Sequence, residues 1–347
     1  MNAAVPPALW RLAGLTGRDE AILSGMNRLT WLSEWSADAV RDTLGRAAPG
    51  LGEGSIVLDP PVVDASDPQW AGGVATGGQF VAKFAFSEPT AGRLWREALV
   101  LQALGGQPGL RLPEVLAASS DPVFFVTRLV DGVPLSYEMI STASGAQADQ
   151  LGNELAEFLC SLHRPETLAC VAAAVGAVPP PDPPPQATTD ELRARLTPMI
   201  RPDQADLVHR WCAWTDDVLA HTKDPVFVHG DLHGHNQVWD PSQLRLRLVA
   251  DFETSGAAEP EFDLRYIPAM GPGVDLLLST AGHYAHRMGT SLDLGHIMAW
   301  HVRSNLGEAL WRSEAGLPLL LPVPGGGTPS DYVDELSTRF DALHIWI

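Results

Sequence analysis

The string His229-Gly230-Asp231-Leu232-His233-Gly234-His235-Asn236, followed downstream by Asp251-Phe252-Glu253, holds the residue types that phosphate chemistry needs. Asn236 and Asp251 are hard oxygen donors, suited to a divalent cation such as Mg2+ that prefers oxygen ligands in octahedral geometry. Asp231 suits a base, or an orienting acceptor, for a hydroxyl attacking the terminal phosphate of a nucleoside triphosphate. Such transfers pass through a loose, highly charged transition state, so catalysis is mostly positioning and charge neutralisation.

Short apolar stretches must position these groups. Residues 225–228 (PVFV) predict a strand entering the loop, and 244–250 (LRLRLVA) alternate at period two and deliver Asp251 at their end. Between them 236–239 predict a second strand and Asp240-Pro241-Ser242 a turn, a hairpin bracketing the site.

His-Gly-Asp, then Asn, then Asp-Phe-Glu in this order and spacing resembles the aminoglycoside phosphotransferase branch of the protein-kinase-like fold. The resemblance implies an α+β, two-lobed architecture: a small N-lobe of antiparallel sheet plus helix at 1–130, and a larger, mainly helical C-lobe at 131–347 that carries catalysis and substrate binding. It implies Asp231 as catalytic base, Asn236 and Asp251 as magnesium ligands, and ATP or GTP as phosphate donor. It also requires a strand lysine gripping the phosphates and a helix glutamate holding that lysine. The chain has two lysines, Lys83 and Lys223. Lys83 lies in the alternating stretch 79–86, and Glu97 is the one acid in the helix-periodic stretch 91–104, so Lys83–Glu97 is the expected ion pair. The glycines of 72–78 are expected to form the turn entering the lysine strand rather than a phosphate-covering loop.

Residues 122–130 read as a buried strand followed by a turn at Asp131-Gly132, as the connector between lobes should. By resemblance Thr127, Arg128, Leu129 and Val130 bind the nucleotide base. Residues 150–163 resemble a long C-lobe helix ending in Leu-His, with His163 structural. The proline run within 178–185 excludes helix interior and predicts an extended surface excursion. Helical patterns cover 189–199, 204–221, 274–288, 292–310 and 330–343. The stretch from Glu261 to Tyr266 resembles the family's Asp-Pro-x-x-Asp-Leu-Ala, which gives Asp263 the task of bracing the catalytic loop. Late C-lobe helices supply substrate contacts in this family, which singles out His301, Arg303, Asn305, Glu308, Trp311 and Arg312. Residues 10–44, with Leu29, Leu32, Trp35 and Val40 at helical spacing, predict an added helical segment on the small lobe.

The chain's 347 residues suffice for one catalytic unit with a substantial core. Cys160, Cys170 and Cys212 are odd in number and lack metal spacing, which fits a reducing, cytoplasmic setting. Neither a signal peptide nor a membrane span is expected. A net charge of −19 argues against nucleic acid or an anionic membrane as partner and is compatible with a cationic small molecule.

The expected activity is a small-molecule O-phosphotransferase with an alcohol acceptor, inactivating an antibiotic and conferring resistance. The C-lobe is similar to actinobacterial antibiotic-modifying enzymes, including those acting on nucleoside antibiotics such as capuramycin. A metabolic kinase of sugar, choline or homoserine type is the alternative. A metallophosphoesterase using His229, His233 and His235 lacks its other motifs. A non-catalytic kinase-like module finds no degenerate position to support it.

Overall fold

The computed structural model describes residues 29–48, 50–51, 55–59, 61, 71–181, 187–221, 223–270, 274–320 and 327–345. The N-terminal half is built on a five-stranded antiparallel sheet: β1 (Ile56–Leu58), β2 (Gly72–Gly77), β3 (Phe80–Ala85), β4 (Val115–Ser120) and β5 (Val123–Arg128), in the order β1-β2-β3-β5-β4. Alternation along β3 decides what each face does. Phe80, Ala82 and Phe84 face a core with Phe124, Val126 and helix α1 (Ala37–Ala47). Lys83 takes the opposite face, toward helix α2 (Glu88–Leu104). Ser87 caps α2 by accepting from the Thr90 N–H, and Pro89 occupies its first turn, where a missing N–H costs nothing.

The remainder is mainly helical. Helices α3 (Tyr137–Ser141), α4 (Gly145–Leu162) and α5 (Pro165–Val175) precede α6 (Thr189–Glu191), α7 (Pro202–Leu219), α8 (Asp275–Met288), α9 (Leu294–Glu314) and α10 (Pro329–Ala342). A Ser144–Gln147 capping box starts α4. Its Leu151, Leu155, Phe158, Leu159 and Leu162 join a core with Leu276 and Leu277 of α8 and Leu94, Ala98 and Leu101 of α2. A second core gathers α7, α9 and α10 around Trp211, Leu306 and Phe340. Between the two halves run β6 (Val133–Pro134), β7 (Val226–Val228), β8 (Gln237–Asp240), β9 (Arg245–Val249) and β10 (Gly256–Ala258), paired as β6-β8-β9 and β10-β7. The expected β8–β9 hairpin is present. Its turn is organised by Asp240, whose Oδ1 accepts from the N–H groups of Ser242 and Gln243 at 2.9 and 3.1 Å.

Three expectations change. The helix expected over 10–44 begins only at Ala37 within the described residues; 1–28 lie outside them. Residues 29–36 instead run beside the sheet, where Val123 donates to Thr30 O at 2.7 Å and Leu32 to Ala85 O at 3.3 Å. The apolar spacing there serves a sheet face rather than a helix stripe. Secondly, the glycines of 72–78 are not merely a turn: β2 is an internal strand paired to both β1 and β3, with only its tip turning. Bare positions there leave room for the Trp35 and Phe86 rings over Gly73. Thirdly, 189–199 is helical but not uniform, since a π turn spans Leu192–Leu196. Of the proline stretch, Pro179 accepts from the Ala257 N–H at 2.8 Å and packs on β10, and 182–186 lie outside the described residues. No helix among the described residues is long and apolar enough to cross a membrane.

Candidate active site

Lys83, Glu97 and Asp251 meet where the sheet faces the C-terminal half. The Lys83 ammonium donates to Glu97 Oε1 and Oε2 at 3.1 and 3.0 Å and to Asp251 Oδ1 at 2.6 Å. Glu97, fully buried on α2, also accepts from the Phe252 N–H at 2.9 Å, which ties the helix to the segment carrying Asp251. Burial works against the Lys83 charge, but the Asp251, Glu97 and Glu253 carboxylates outweigh it and hold the amine above its usual range. Burial pushes Glu97 up to about 7 against the pull of Lys83. For Asp251 the same ammonium overcomes burial and keeps the carboxyl below its usual range. Glu253 is raised, first by burial and then by Asp251.

The loop between β7 and β8 is held from behind. Its His229 ring is buried and has both nitrogens committed: Nε2–H donates to Ala250 O at 2.8 Å, and Nδ1 accepts from the Asp231 N–H at 3.1 Å. Burial depresses its pKa, in keeping with a neutral ring. Gly230 has φ +86°, and a Cβ there would lie 2.5 Å from Thr254 O. Leu135 donates to Gly234 O at 3.0 Å, and a Cβ on Gly234 would sit 2.1 Å from Leu135 O, so the loop and the β6 segment touch backbone to backbone. Asn236 donates through Nδ2 to Asp231 O at 2.9 Å and approaches Asp231 Oδ2 at 3.5 Å. His233 Nε2 lies 3.4 Å from Asp231 Oδ2. Burial opposes protonation of His233, and the Asp231 carboxylate more than restores it, raising its pKa.

Asp263, wholly buried, braces this loop: its two oxygens accept from the N–H groups of His229 and Gly230, each at 2.9 Å. It also meets His163 Nε2 at 3.2 Å, and His163 Nδ1 meets the Tyr284 hydroxyl at 3.2 Å. His163 thus sits in a structural role at the end of α4. Two residues after Asp263, where the resembling pattern has Ala, stands Arg265. It is buried, and its Nη2 donates to Gly230 O at 2.6 Å. Sequence reading missed it, although its displacement of a small residue within a resembling stretch was a usable signal.

Comparison of the whole chain bears on its family. The profile described as "Phosphotransferase enzyme family" (APH) matches residues 60–294. The chain belongs to this phosphotransferase family. Its fold is the kinase-like one of aminoglycoside 2'-phosphotransferase-IIIa in its GDP complex (TM-score 0.62, 18% identity, covering 88% of this chain and 97% of that one). Macrolide 2'-phosphotransferase MphH from Brachybacterium faecium is also similar (TM-score 0.55, 20% identity, 80% and 93% covered), as is APH(2'')-IIa in its streptomycin–ATP ternary complex (TM-score 0.53, 14% identity, 82% and 93% covered). No curated protein sequence matches the chain.

In this phosphotransferase the donor set fits a hard divalent cation. Among the described residues the cluster of His, Cys, Asp and Glu groups close enough to hold a metal is Glu97, Asp251 and Glu253, with ligand atoms all within 4.8 Å of one another. Crowded carboxylates of raised and lowered pKa are a natural seat for positive charge, and on the neighbouring loop the Asn236 amide is turned by its Nδ2 toward Asp231 O. The three loop histidines do not converge on such a site, since both His229 nitrogens are already used.

The stretch expected to bind the base, Thr127 to Val130, is the end of β5 and the residues that follow it. Thr127 is buried, the Arg128 guanidinium turns outward to Glu114 (Nε to Oε2, 2.6 Å), and the Leu129 N–H donates to Gln79 O at 2.9 Å. Arg128 therefore offers the cleft only its backbone. The α9 residues divide. His301 and Asn305 are buried. Arg303 donates to Ala187 O at 3.0 Å beneath Trp300, and Arg312 is engaged by Glu308 at 2.8 Å and Pro318 O at 3.1 Å. Trp311 is exposed.

Proposed function

We propose that this phosphotransferase moves the γ-phosphate of ATP or GTP to a hydroxyl of a small-molecule antibiotic, a resistance activity, with Asp231 as catalytic base and Asn236 and Asp251 as Mg2+ ligands. The lobe boundary is placed between Val130 and Asp131. The observation that carries this reading is the Lys83–Glu97 pair reaching Asp251, together with a loop whose Asp231 is held by its own N–H and C=O through His229 and Asn236. Antibiotic acceptors are supported by the similar enzymes' own names: aminoglycoside and macrolide phosphotransferases, with kanamycin, streptomycin and gentamicin in several complexes.

Each side chain then has a task. Lys83, held charged, neutralises donor phosphate oxygens, and Glu97 keeps it aimed. Thr127 to Val130 line the purine. Mg2+, when bound by Asp251 and Asn236, neutralises charge on the donor phosphates. Asp231 accepts the proton of the acceptor hydroxyl while that oxygen bonds to phosphorus and the bond to the β-phosphate bridging oxygen breaks, releasing the nucleoside diphosphate. The site is cytoplasmic in this account, and neither nucleic acid nor membrane takes part.

Nucleotide binding with and without Mg2+ separates the two aspartates. Asp251→Ala is expected to lose the magnesium-dependent part of ATP and GTP affinity, while Asp231→Ala keeps it and loses transfer. An Asp251→Ala variant with an unchanged magnesium titration would contradict the ligand assignment.

A further inference from the structure

Arg265 is a fully buried cation, 1% exposed, without a carboxylate at hydrogen-bond distance among the described residues. Its Nη1 donates to Phe262 O at 2.9 Å, and its Nη2 to Gly230 O at 2.6 Å and to the Tyr266 hydroxyl at 2.8 Å. The Phe262 and Tyr266 rings lie over the guanidinium at 4.0 and 4.1 Å. The carboxylate nearest it is Asp231, whose Oδ1 is 3.9 Å from Nη2. Burying a guanidinium is expensive, and its planar fork holds acceptors in fixed directions as an ammonium does not.

A second layer fixes Arg265 in turn. Its carbonyl accepts from His301 Nδ1–H at 2.7 Å, which leaves His301 Nε2 to accept from Arg339 Nη1 at 3.2 Å. Arg339, on α10, donates also to Glu335 at 2.8 Å. A chain of buried polar contacts therefore runs from the C-terminal helix to the peptide that carries Asp231.

We propose that Arg265 is a positioning residue for Asp231. Its fork clamps the Gly230 carbonyl, hence the Gly230–Asp231 peptide, and its charge stands behind the carboxylate that receives the acceptor proton. The inference rests on Asp231 being the base. Arg265 touches neither nucleotide nor acceptor and acts through Asp231, with His233, Asn236 and Tyr266 completing that carboxylate's surroundings.

The test uses the full chain with Mg2+ and either ATP or GTP, water serving as acceptor and phosphate release as readout, alongside nucleotide affinity and melting temperature. Arg265→Met keeps an unbranched side chain between the two rings without charge or fork; Arg265→Lys keeps charge without the fork. Loss of charge-assisted hydrogen bonds should lower kcat about tenfold to hundredfold in Arg265→Met while the nucleotide KM stays within roughly twofold, and Arg265→Lys should recover part of the loss. Wild-type kcat in Arg265→Met overturns the proposal. So does a parallel loss of nucleotide affinity and kcat that Arg265→Lys does not relieve, since that marks a merely structural role. If Arg265→Met does not fold, Arg265→Lys decides alone: reduced kcat at unchanged KM supports positioning, and unchanged kcat overturns it. A wild-type chain that binds nucleotide but releases no phosphate, and phosphorylates no acceptor, removes the parent reading and this inference together. A deficit confined to the Arg265 variants leaves the parent reading standing.

Discussion

Lys83 and Asp251 lie 168 positions apart in sequence, yet their charged atoms meet at 2.6 Å. One ammonium from the sheet thereby joins the helix glutamate and the segment that follows β9. This contact organises the cleft.

Removing that ammonium should be costly. Lys83→Met leaves Glu97 buried beside Asp251 and Glu253 with nothing to neutralise them, and breaking a buried pair typically costs about 3–5 kcal/mol. Part of this is relieved because Lys83 keeps 22% of its side chain exposed and Glu97 takes up a proton. A fall in unfolding free energy nearer the lower figure is expected from urea denaturation, together with weaker nucleotide binding. A variant as stable as wild type would show that the carboxylates do not depend on Lys83.

Asp263→Asn tests the brace behind the loop. An amide has one acceptor oxygen, so the N–H of either His229 or Gly230 would face an NH2 group. Each buried group left unsatisfied costs about 1–3 kcal/mol, which predicts a lower melting temperature and slower transfer. Retained turnover would mean that Gly230 and Asp231 hold their geometry without Asp263.

The His301 ring supplies a pH signature. Burial, reinforced by Arg339, drives its pKa down to about 3 from the ordinary 6.5. The unfolded chain therefore binds a proton below pH 6.5 that the native state refuses, so stability falls as pH drops from 6.5 toward 3, by up to about 1.4 kcal/mol per pH unit for one proton. Above pH 6.5 the group contributes no slope. His301→Gln preserves a donor for Arg265 O and an acceptor for Arg339 without titrating. Its unfolding free energy should decline less steeply over that window than the wild type's, and equal slopes would place His301 in contact with water.

Gly230→Ala should fail for backbone reasons. A side chain at φ +86° is strained by about 1–3 kcal/mol, and its Cβ meets Thr254 O at 2.5 Å besides. Loss of transfer with reduced thermal stability is the expected outcome, and a fully active alanine variant would refute the close approach.

Much of this site was legible in the sequence because its candidate residues lie in or next to short, strongly patterned strands and one helix. Alternation in 79–86 and 244–250 placed Lys83 and Asp251, and the helix pattern left Glu97 as the only possible partner. What stayed hidden depends on long-range packing. Residues 29–36 carry helix-like spacing but are drawn along the sheet by Thr30 and Leu32. His301 looks like part of a polar helix face until Arg339 of α10 meets its ring. A fully buried Arg265 contradicts the usual surface habit of arginine and emerges only once the Phe262 and Tyr266 rings are seen to enclose it.

The central claim is phosphate transfer from a nucleotide to an antibiotic hydroxyl through Asp231. The most direct measurement is mass spectrometry of an acceptor panel incubated with the protein, Mg2+ and ATP or GTP. Aminoglycosides, macrolides, capuramycin-type nucleoside antibiotics, sugars, choline and homoserine make up the panel, with Asp231→Ala as control. One antibiotic should gain a single phosphate with the wild-type chain and none with Asp231→Ala. Equal phosphorylation by the Asp231→Ala variant, or phosphate gain only by a common metabolite, would contradict it.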